Sequence, residues 1–176
     1  MHTETLPVDW ESFAQVYHRH MPCVYRYFVS RVGNRQQCED LTSAVFEKAL
    51  RGLRTYCPER GSLEAWLFGI ARRVLAEDTR RHRKQGTSVS LQELPPLPDP
   101  TTPERELLDR KQRETLERCV RSLPEREQEL IALKFGARLT NRRIAQITDL
   151  SESNVGTLLY RTVRKLRDQL KGRDCK

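Results

Sequence analysis

The chain has 176 residues, a net charge of +8 and 37% hydrophobic residues, a composition that limits it to one or two domains with small cores. No apolar run approaches the ~20 residues that span a bilayer. The N-terminus, MHTETLPVDWE, lacks a signal-peptide pattern. We therefore expect a cytoplasmic protein that does not insert into a membrane.

The charge is unevenly distributed along the chain. Residues 1–86 carry 14 basic and 10 acidic side chains, residues 87–104 carry three acidic and no basic ones, and residues 105–176 carry 18 basic and 11 acidic ones. Two basic blocks joined by an acidic connector suggest a protein that contacts a polyanion with both ends. Solvated Lys/Arg-rich helices without a nucleic-acid partner remain the alternative.

The cysteines and histidines do not form a recognisable site. The five cysteines are odd in number and widely spaced, which is typical of reduced thiols: Cys23, Cys38, Cys57, Cys119 and Cys175. His18, His20 and Cys23 lie close in sequence, but Pro22 interrupts their helix and no second cluster completes a metal site. We also find no phosphate loop and no nucleophile paired with a base, so we expect no cofactor, no small-molecule substrate and no enzyme activity.

The N-terminal block, residues 1–86, predicts helices and no strand. Asp9 is a candidate cap for a first helix that ends at Pro22, and a second helix runs from Pro22 to Gly33-Asn34. A third helix spans Gln36 to Leu53. A loop follows, and Ser62 caps a fourth helix, Leu63 to about Lys84.

The fourth helix changes character along its length, from an apolar first half to a second half rich in arginine. Beside it, the loop offers Tyr56, and the helix itself offers Trp66. A basic surface with adjacent aromatic rings is the usual apparatus for binding single-stranded nucleic acid. A solubilising surface helix is the alternative.

Residues 87–104 contain five of the nine prolines and no basic residue, so they predict an extended, semi-rigid linker. Beyond the linker, residues 105–176 predict a four-helix domain. Its first helix runs from Glu104 to Ser122, and its second from Glu125 to Phe135 after Pro124. That second helix offers four apolar side chains to the core: Leu130, Ile131, Leu133 and Phe135.

The last two helices have the pattern of a helix-turn-helix. Thr140 caps a short helix, Asn141 to Thr148, and Ser151 caps a longer one after a three-residue turn. The longer helix has an inner side at helical spacing: Val155, Leu159, Leu166 and Leu170. An ordinary helical hairpin with a solvated face has the same spacing, but the small residues that begin the second helix favour close approach to DNA.

Several of these segments together resemble one family, the extracytoplasmic-function (group IV) sigma factors of bacterial RNA polymerase. CEDLTSAVFEKAL at 38–50 is similar to the helix that docks on polymerase, and RGSLEAWLFGIARRVL at 60–75 to the loop and helix that read the −10 element. LPERE at 123–127 and residues 140–166 are similar to the domain that reads the −35 element. The resemblance covers nearly the whole chain.

The resemblance implies a division of labour along the chain. It implies that residues 1–86 dock on core polymerase, read the −10 element and melt it, and that residues 105–176 read the −35 element. It implies that the linker threads the RNA-exit path, although a passive tether fits its composition equally well. Promoter DNA, core RNA polymerase and an anti-sigma factor are the implied partners.

Three sets of residues carry these roles by resemblance. The polymerase-docking set is Asp40, Leu41, Val45, Phe46 and Ala49. The −10 set is Tyr56, Cys57, Pro58, Glu59, Arg60, Gly61, Ser62, Arg72, Arg73, Arg80 and Arg81. The −35 set is Ser153, Asn154, Gly156, Thr157, Tyr160, Arg161 and Arg164.

The chain departs from the family pattern at a few positions, among them Ser43-Ala44 in the docking helix and Asp149 in the turn. These departures concern the promoter sequence more than the function. Two rival functions remain. One is a stand-alone helix-turn-helix regulator, and the other is a small recombinase or nuclease, which would need a catalytic Ser or a carboxylate cluster.

Overall fold

The computed structural model describes residues 10–85 and 103–174, and all regular structure in these two ranges is helical. The N-terminal domain contains α1 (Trp10–Val29), α2 (Arg35–Gly52) and α3 (Leu63–Gln85), with short 3-10 turns at Leu53–Thr55 and Pro58–Arg60. The C-terminal domain contains α4 (Pro103–Arg121), α5 (Glu125–Ile131), a π-helical segment (Ala132–Gly136), α6 (Asn141–Thr148) and α7 (Glu152–Asp174). The all-α prediction is confirmed.

The expected linker lies outside the described residues, apart from Pro103 and Glu104, which begin α4. The expected cap at Asp9 also lies outside them.

A single helix, α1, replaces the two helices that we predicted on either side of Pro22. Proline lacks an N–H and its ring crowds the preceding turn, at a cost of about 3 kcal/mol. The apolar stripe runs through the proline nevertheless, because Phe13 lies before it and Val24 and Phe28 after it, all three buried. Burial of one such side chain contributes about 1.5–3 kcal/mol, so the continuous stripe outweighs the proline.

Aromatic side chains form the centre of the N-terminal domain. Tyr27 and Phe28 of α1 meet edge-to-face with ring centroids 5.4 Å apart, and Tyr27 meets Phe68 of α3 at 5.7 Å. Val45 of α2 is fully buried and belongs to the same cluster. Asn34 begins α2 as its cap, since its side-chain oxygen accepts a hydrogen bond from the Gln37 N–H at 3.0 Å.

The π-helical segment in the C-terminal domain changes one predicted core position. Leu130, Ile131 and Leu133 are buried as expected, but Phe135 is 58% exposed. The segment ends with an Ala137 N–H that donates to the Ala132 carbonyl at 2.8 Å, a five-residue step. The wider turn shifts the register after Leu133, so Phe135 leaves the inner side of the helix.

The helix-turn-helix forms with the predicted caps. The Thr140 hydroxyl accepts from the Arg143 N–H at 3.3 Å, and the Ser151 hydroxyl accepts from the Asn154 N–H at 3.2 Å. Asp149 turns the chain with a φ of 57°, a left-handed conformation that aspartate tolerates at some cost. Ile144 of α6 and Val155 of α7 are both fully buried, so they fix the two helices together.

The two domains contact each other. Helix α1 packs on the π-helical segment, and α3 packs on α6. The buried apolar side chains of both domains belong to one continuous cluster.

Candidate nucleic-acid and polymerase interfaces

The outer side of α7 presents the predicted −35 residues to solvent. Val155, Leu159 and Leu166 occupy its inner side and are buried, which forces the residues between them outward. Six of the seven predicted residues are exposed, with Tyr160 the most prominent at 69%: Ser153, Asn154, Thr157, Tyr160, Arg161 and Arg164. Three hydroxyls, an amide and two guanidinium groups on one surface suit base edges and phosphates.

Gly156, the seventh residue, lies on the flank of α7 instead. A Cβ on Gly156 would come 3.6 Å from the Asn141 amide nitrogen, at the start of α6. Gly156 therefore lies next to α6 as well as at the edge of the outer surface of α7.

A surface cavity of about 520 Å³ continues the outer side of α7 toward its C-terminus. The cavity is lined by Arg161, Arg164, Lys165, Asp168 and Gln169. Three cations against one carboxylate give it a net positive charge, as expected of a surface that follows a phosphate backbone.

The predicted −10 loop is a compact turn fixed by its own side chains. The Tyr56 hydroxyl donates to the Gly61 carbonyl at 3.1 Å, and the Tyr56 ring lies 5.5 Å from the Trp66 ring. Gly61 has a φ of 150°, which favours glycine at this position. Ser62 ends the loop and caps α3, where its hydroxyl accepts from the Ala65 N–H at 3.3 Å. Pro58, Glu59 and Arg60 form the exposed tip of the loop.

Cys57 lies beside the tip and donates from its thiol to the Glu59 carboxylate at 2.8 Å. This hydrogen bond lowers the pKa of Glu59 below its ordinary value, because it stabilises the ionised carboxylate.

The four arginines predicted along α3 do not act alike. Arg73, Arg80 and Arg81 are exposed, and Arg73 folds back to donate to the Gly69 carbonyl at 3.1 Å. Arg72 points to the C-terminal domain, where its Nε lies 2.6 Å from the Glu129 carboxylate. The structure therefore leaves three of the four available to a strand and engages the fourth between the domains.

The docking residues predicted on α2 lie mostly inside the domain. Leu41, Val45, Phe46 and Ala49 are buried, with exposures of 5% or less, because they form the inner side of an amphipathic helix. Of the five, Asp40 is exposed, and it accepts a hydrogen bond from the Gln36 side chain at 3.0 Å. The four apolar residues can support a docking surface but cannot form one.

The outer side of α2 instead carries a polar stripe at helical spacing: Gln36, Asp40, Ser43, Glu47 and Arg51. All five are exposed. Four of them are absent from the predicted docking set, although their spacing of three or four residues gives them a common side. Lys48 lies on the flank and pairs with Glu77 of α3 at 2.6 Å, which lowers the pKa of Glu77.

The described cysteines are free thiols, with Cys38 and Cys119 buried. Burial raises the pKa of Cys38 to about 11, so this thiol stays protonated and unreactive near neutral pH. Within residues 10–85 and 103–174, no helix is long and apolar enough to cross a membrane. In the same two ranges, no three His, Cys, Asp or Glu residues are grouped as metal ligands.

Comparison with known proteins identifies both domains. Residues 16–85 match the family model for Sigma-70 region 2, and residues 113–166 match that for Sigma-70 region 4. The chain is 31% identical to the ECF RNA polymerase sigma factor BldN of Streptomyces coelicolor over 156 residues, which are 89% of this chain and 59% of BldN. It is 24% identical to the ECF sigma factor SigM of Bacillus subtilis, over 87% of this chain and 91% of SigM. The chain thus spans somewhat under two thirds of the length of BldN and nearly all of SigM.

A solved structure shares the fold. The sigma factor RpoE of Bartonella quintana, determined in complex with the anti-sigma factor NepR, superposes with a TM-score of 0.71 at 19% identity, covering 92% of this chain and 98% of that one.

The matches to regions 2 and 4 place the chain in the Sigma-70 class of DNA-recognition proteins. Within that class the chain belongs to the extracytoplasmic-function sigma factors, which are transcription factors and not enzymes. The match of residues 16–85 to Sigma-70 region 2 favours this family over the two rival functions, a stand-alone regulator and a recombinase or nuclease.

Proposed function

We propose that the chain binds core RNA polymerase in the cytoplasm, recognises the −35 and −10 elements of its promoters, and helps to open the DNA for initiation. The observation that carries the proposal is the separation of surfaces: an exposed polar side of α7 in region 4, and an exposed loop with basic residues on α3 in region 2.

Helix α7 is proposed to enter the major groove at the −35 element. A recognition helix contacts base edges with its N-terminal residues, which here are Ser153, Asn154 and Thr157. Arg161 and Arg164 follow one and two turns later, where the positive cavity suits phosphate oxygens.

The loop at residues 56–62 is proposed to receive an unstacked base of the −10 element. Taking a base out of the stack costs a few kcal/mol, so a receiving site has to be held in shape beforehand. The hydrogen bond from Tyr56 to Gly61 and the packing of Tyr56 on Trp66 supply that rigidity. Arg73, Arg80 and Arg81 would then hold the strand through its phosphates.

The outer stripe of α2 is proposed as the polymerase contact, with Asp40 at its centre. An exposed polar row with two carboxylates and one guanidinium, on a helix whose opposite side is buried, suits a polar protein interface. We also propose an anti-sigma factor as a partner, because relatives of this fold such as RpoE are held by one.

The proposal is tested by transcription from a pool of promoter DNA with both elements randomised, using core polymerase with and without the chain. We expect transcripts only with the chain present, from templates enriched for one sequence at each element. Exchange of the loop at 56–62 for that of a relative should alter the enriched −10 sequence and leave the −35 sequence unchanged. Sequence-specific binding to duplex DNA without polymerase, together with no stimulated transcription, would contradict the proposal.

A further inference from the structure

Glu59, at the tip of the loop at 56–62, carries the wrong charge for a surface that holds DNA. It is the only acidic residue of the −10 set, and Arg60 follows it directly. Glu59 is exposed, and among the described residues no lysine or arginine pairs with its carboxylate. An exposed glutamate is ionised near neutral pH and repels phosphate groups. It therefore weakens the binding of a strand unless it bonds to another part of that strand.

The Glu59 carboxylate is held in place by its own loop. The Cys57 thiol donates to Glu59 Oε2 at 2.8 Å, which draws the side chain back beside the loop. This bond, together with one from the backbone N–H of Glu59, holds the pKa of Glu59 below its ordinary value. Each carboxylate oxygen has more than one lone pair, so both oxygens can still accept from a ligand.

The backbone beneath this carboxylate is fixed as well. The Arg60 N–H donates to the Cys57 carbonyl at 3.0 Å, and the Gly61 N–H donates to the Pro58 carbonyl at 3.2 Å. The Tyr56 hydroxyl closes the loop on the Gly61 carbonyl at 3.1 Å. A Cβ on Gly61 would meet no heavy atom of the described residues within 4 Å, so the space beside the loop is open. The loop thus presents a fixed acceptor next to open space.

The chemistry of DNA limits what Glu59 can bond. An ionised carboxylate only accepts hydrogen bonds. The phosphate and sugar oxygens along a DNA strand are acceptors too, so the donors of the strand all lie on its bases. In the duplex the pairing edge of each base is occupied by its partner, and an unstacked base exposes that edge. Glu59 can therefore bond to DNA only through a base, and it meets a pairing edge only where the strands have separated.

The four bases differ in what their pairing edges offer to a carboxylate. Guanine presents two adjacent donors, a ring N–H and an exocyclic amine, which match the two oxygens in a bidentate pair. Adenine and cytosine each present one amine beside a ring nitrogen that is an acceptor. Thymine presents one N–H between two carbonyl oxygens. The acceptors of these three bases repel the carboxylate, so guanine fits it best.

Resting on the function proposed above, we propose that Glu59 makes the −10 loop specific for guanine, by accepting from the ring N–H and the exocyclic amine of the unstacked base. Cys57 is a positioning residue, because its thiol fixes the orientation of the carboxylate. Phosphate contacts carry no sequence information, so Arg73, Arg80 and Arg81 supply affinity and Glu59 supplies discrimination.

The first test is transcription from the pool with a randomised −10 element, by core polymerase carrying the wild-type chain or Glu59→Gln. We expect the wild type to enrich guanine about tenfold at one −10 position, the discrimination of a bidentate pair. Glu59→Gln should lose this preference, because an amide offers one donor and one acceptor and suits adenine or cytosine instead.

Glu39→Gln is the matched control for this test. It removes the same charge from a partly exposed site on α2 of the same domain, where Glu39 pairs with Arg35 at 2.8 Å. The control should keep the guanine preference of the wild type. Loss of the preference in both variants would mean that it depends on net charge and would overturn the role of Glu59.

The second test changes the base and leaves the protein unaltered. Polymerase with the wild-type chain is bound to a single-stranded oligonucleotide of the enriched sequence, with the guanine replaced by an analogue. Deoxyinosine lacks the exocyclic amine and should bind about fivefold more weakly, the loss of one hydrogen bond to a charged group. Deazaguanine, which changes only the opposite edge of the base, should bind as guanine does. With Glu59→Gln in the complex, the difference between guanine and deoxyinosine should shrink.

Variants of Cys57 test its positioning role. Cys57→Ser keeps a donor and should keep the guanine preference, whereas Cys57→Ala removes the donor and should reduce the preference. Thermal melting of every variant is the folding control. If Glu59 only stabilises the turn at Pro58–Arg60, its replacement should lower the melting temperature and leave the preferred base unchanged.

Two results would overturn the inference alone: transcription by the wild type from templates without an enriched guanine, or the same enriched base with Glu59→Gln. Equal binding of guanine and deoxyinosine by the wild type would also contradict it. Failure of the proposed function has a different outcome, because the wild-type chain would then direct no transcription from any template. That outcome would remove the role of Glu59 together with the function on which it rests.

Discussion

Two arginines of α7, Arg161 and Arg164, combine exposure with a place in the positive cavity. We expect Arg161→Ala or Arg164→Ala to weaken binding of the polymerase complex to −35 DNA by about 1–3 kcal/mol. If the arginine reads bases, its replacement should weaken binding only to the cognate element. If it holds a phosphate, its replacement should weaken binding to all sequences and lower the slope of affinity against salt by about 1. Fluorescence anisotropy over a salt series measures both quantities.

Arg118→Ala is the matched control, because it removes the same charge from an exposed site on α4 in the same domain. As a plain surface change it should alter stability by less than about 0.5 kcal/mol and leave DNA binding unchanged. Wild-type affinity in the Arg161→Ala, Arg164→Ala double variant would remove this side of α7 from the DNA contact.

His20, in the middle of α1 and within electrostatic reach of Glu64 and Arg143, gives the fold a dependence on pH. Its pKa is lowered from 6.5, first by burial and then by Arg19 and Arg143, while Glu64 opposes the shift. The native state therefore binds fewer protons at His20 than the unfolded state does. The contribution of neutral His20 to the free energy of unfolding is complete above pH 6.5, and it is lost as the pH falls from there through the lowered native pKa.

We expect the melting temperature to fall more between pH 7 and pH 5 for the wild type than for His20→Gln. His18→Gln, at an exposed position two residues earlier, should follow the wild type. Parallel pH profiles for the wild type and His20→Gln would contradict this role of His20.

At the scale of elements, the sequence predicted α3, α6 and α7 closely, because a side-chain cap marks the start of each and an apolar stripe runs along it. It predicted α2 from the apolar stripe alone, and the cap at Asn34 was missed. The two errors arose where tertiary packing overrides a local signal. Pro22 is a helix terminator in isolation, but the buried stripe on both sides of it continues the helix. The π-helical segment at Ala132–Gly136 has no sequence signature, so Phe135 was wrongly placed in the core.

The docking helix shows why a candidate site is harder to predict than an element. The resemblance implied residues of α2 that lie on or support the docking side, and the structure places apolar ones such as Val45 and Phe46 in the core. The helical period puts Gln36, Asp40 and Ser43 together on the opposite, exposed side. Nothing in the sequence says which side of an amphipathic helix meets a partner until the core is known.

Asp40 provides the test of the outer side of α2. We expect Asp40→Arg to lose core polymerase in a pull-down, because a reversed charge at an interface opposes the correct partner. The side chain is exposed and bonded only to Gln36 among the described residues, so the melting temperature should stay near that of the wild type. A variant that melts normally and binds polymerase at wild-type strength would exclude Asp40 from the docking surface.

At the scale of the whole molecule, contacts between residues distant in sequence join the two domains. Arg72 and Glu129 lie 57 residues apart, and Arg26 and Gly136 lie 110 apart. In the sequence, the three charged residues of these pairs read as members of solvated helix sides, and Gly136 reads as a turn residue. None of the four therefore indicates a contact with the other domain. Patterns of short period determine elements and domains, but they carry no information about which charge meets which across a linker.

Variants of the pair of Arg72 and Glu129 separate two contacts of Arg72, the observed one between the domains and the proposed one with the −10 strand. Loss of either partner breaks the same ion pair, so both Arg72→Ala and Glu129→Ala should expand the chain in small-angle scattering. Their effects on single-stranded −10 DNA should be opposite. Glu129→Ala frees a cation and should tighten binding, whereas Arg72→Ala removes that cation and should lower the salt slope by about 0.7, the value for one phosphate contact on a single strand. Anisotropy with one labelled oligonucleotide at several salt concentrations measures both variants. Equal changes of affinity in the same direction would mean that Arg72 holds the domains together and does not contact the strand.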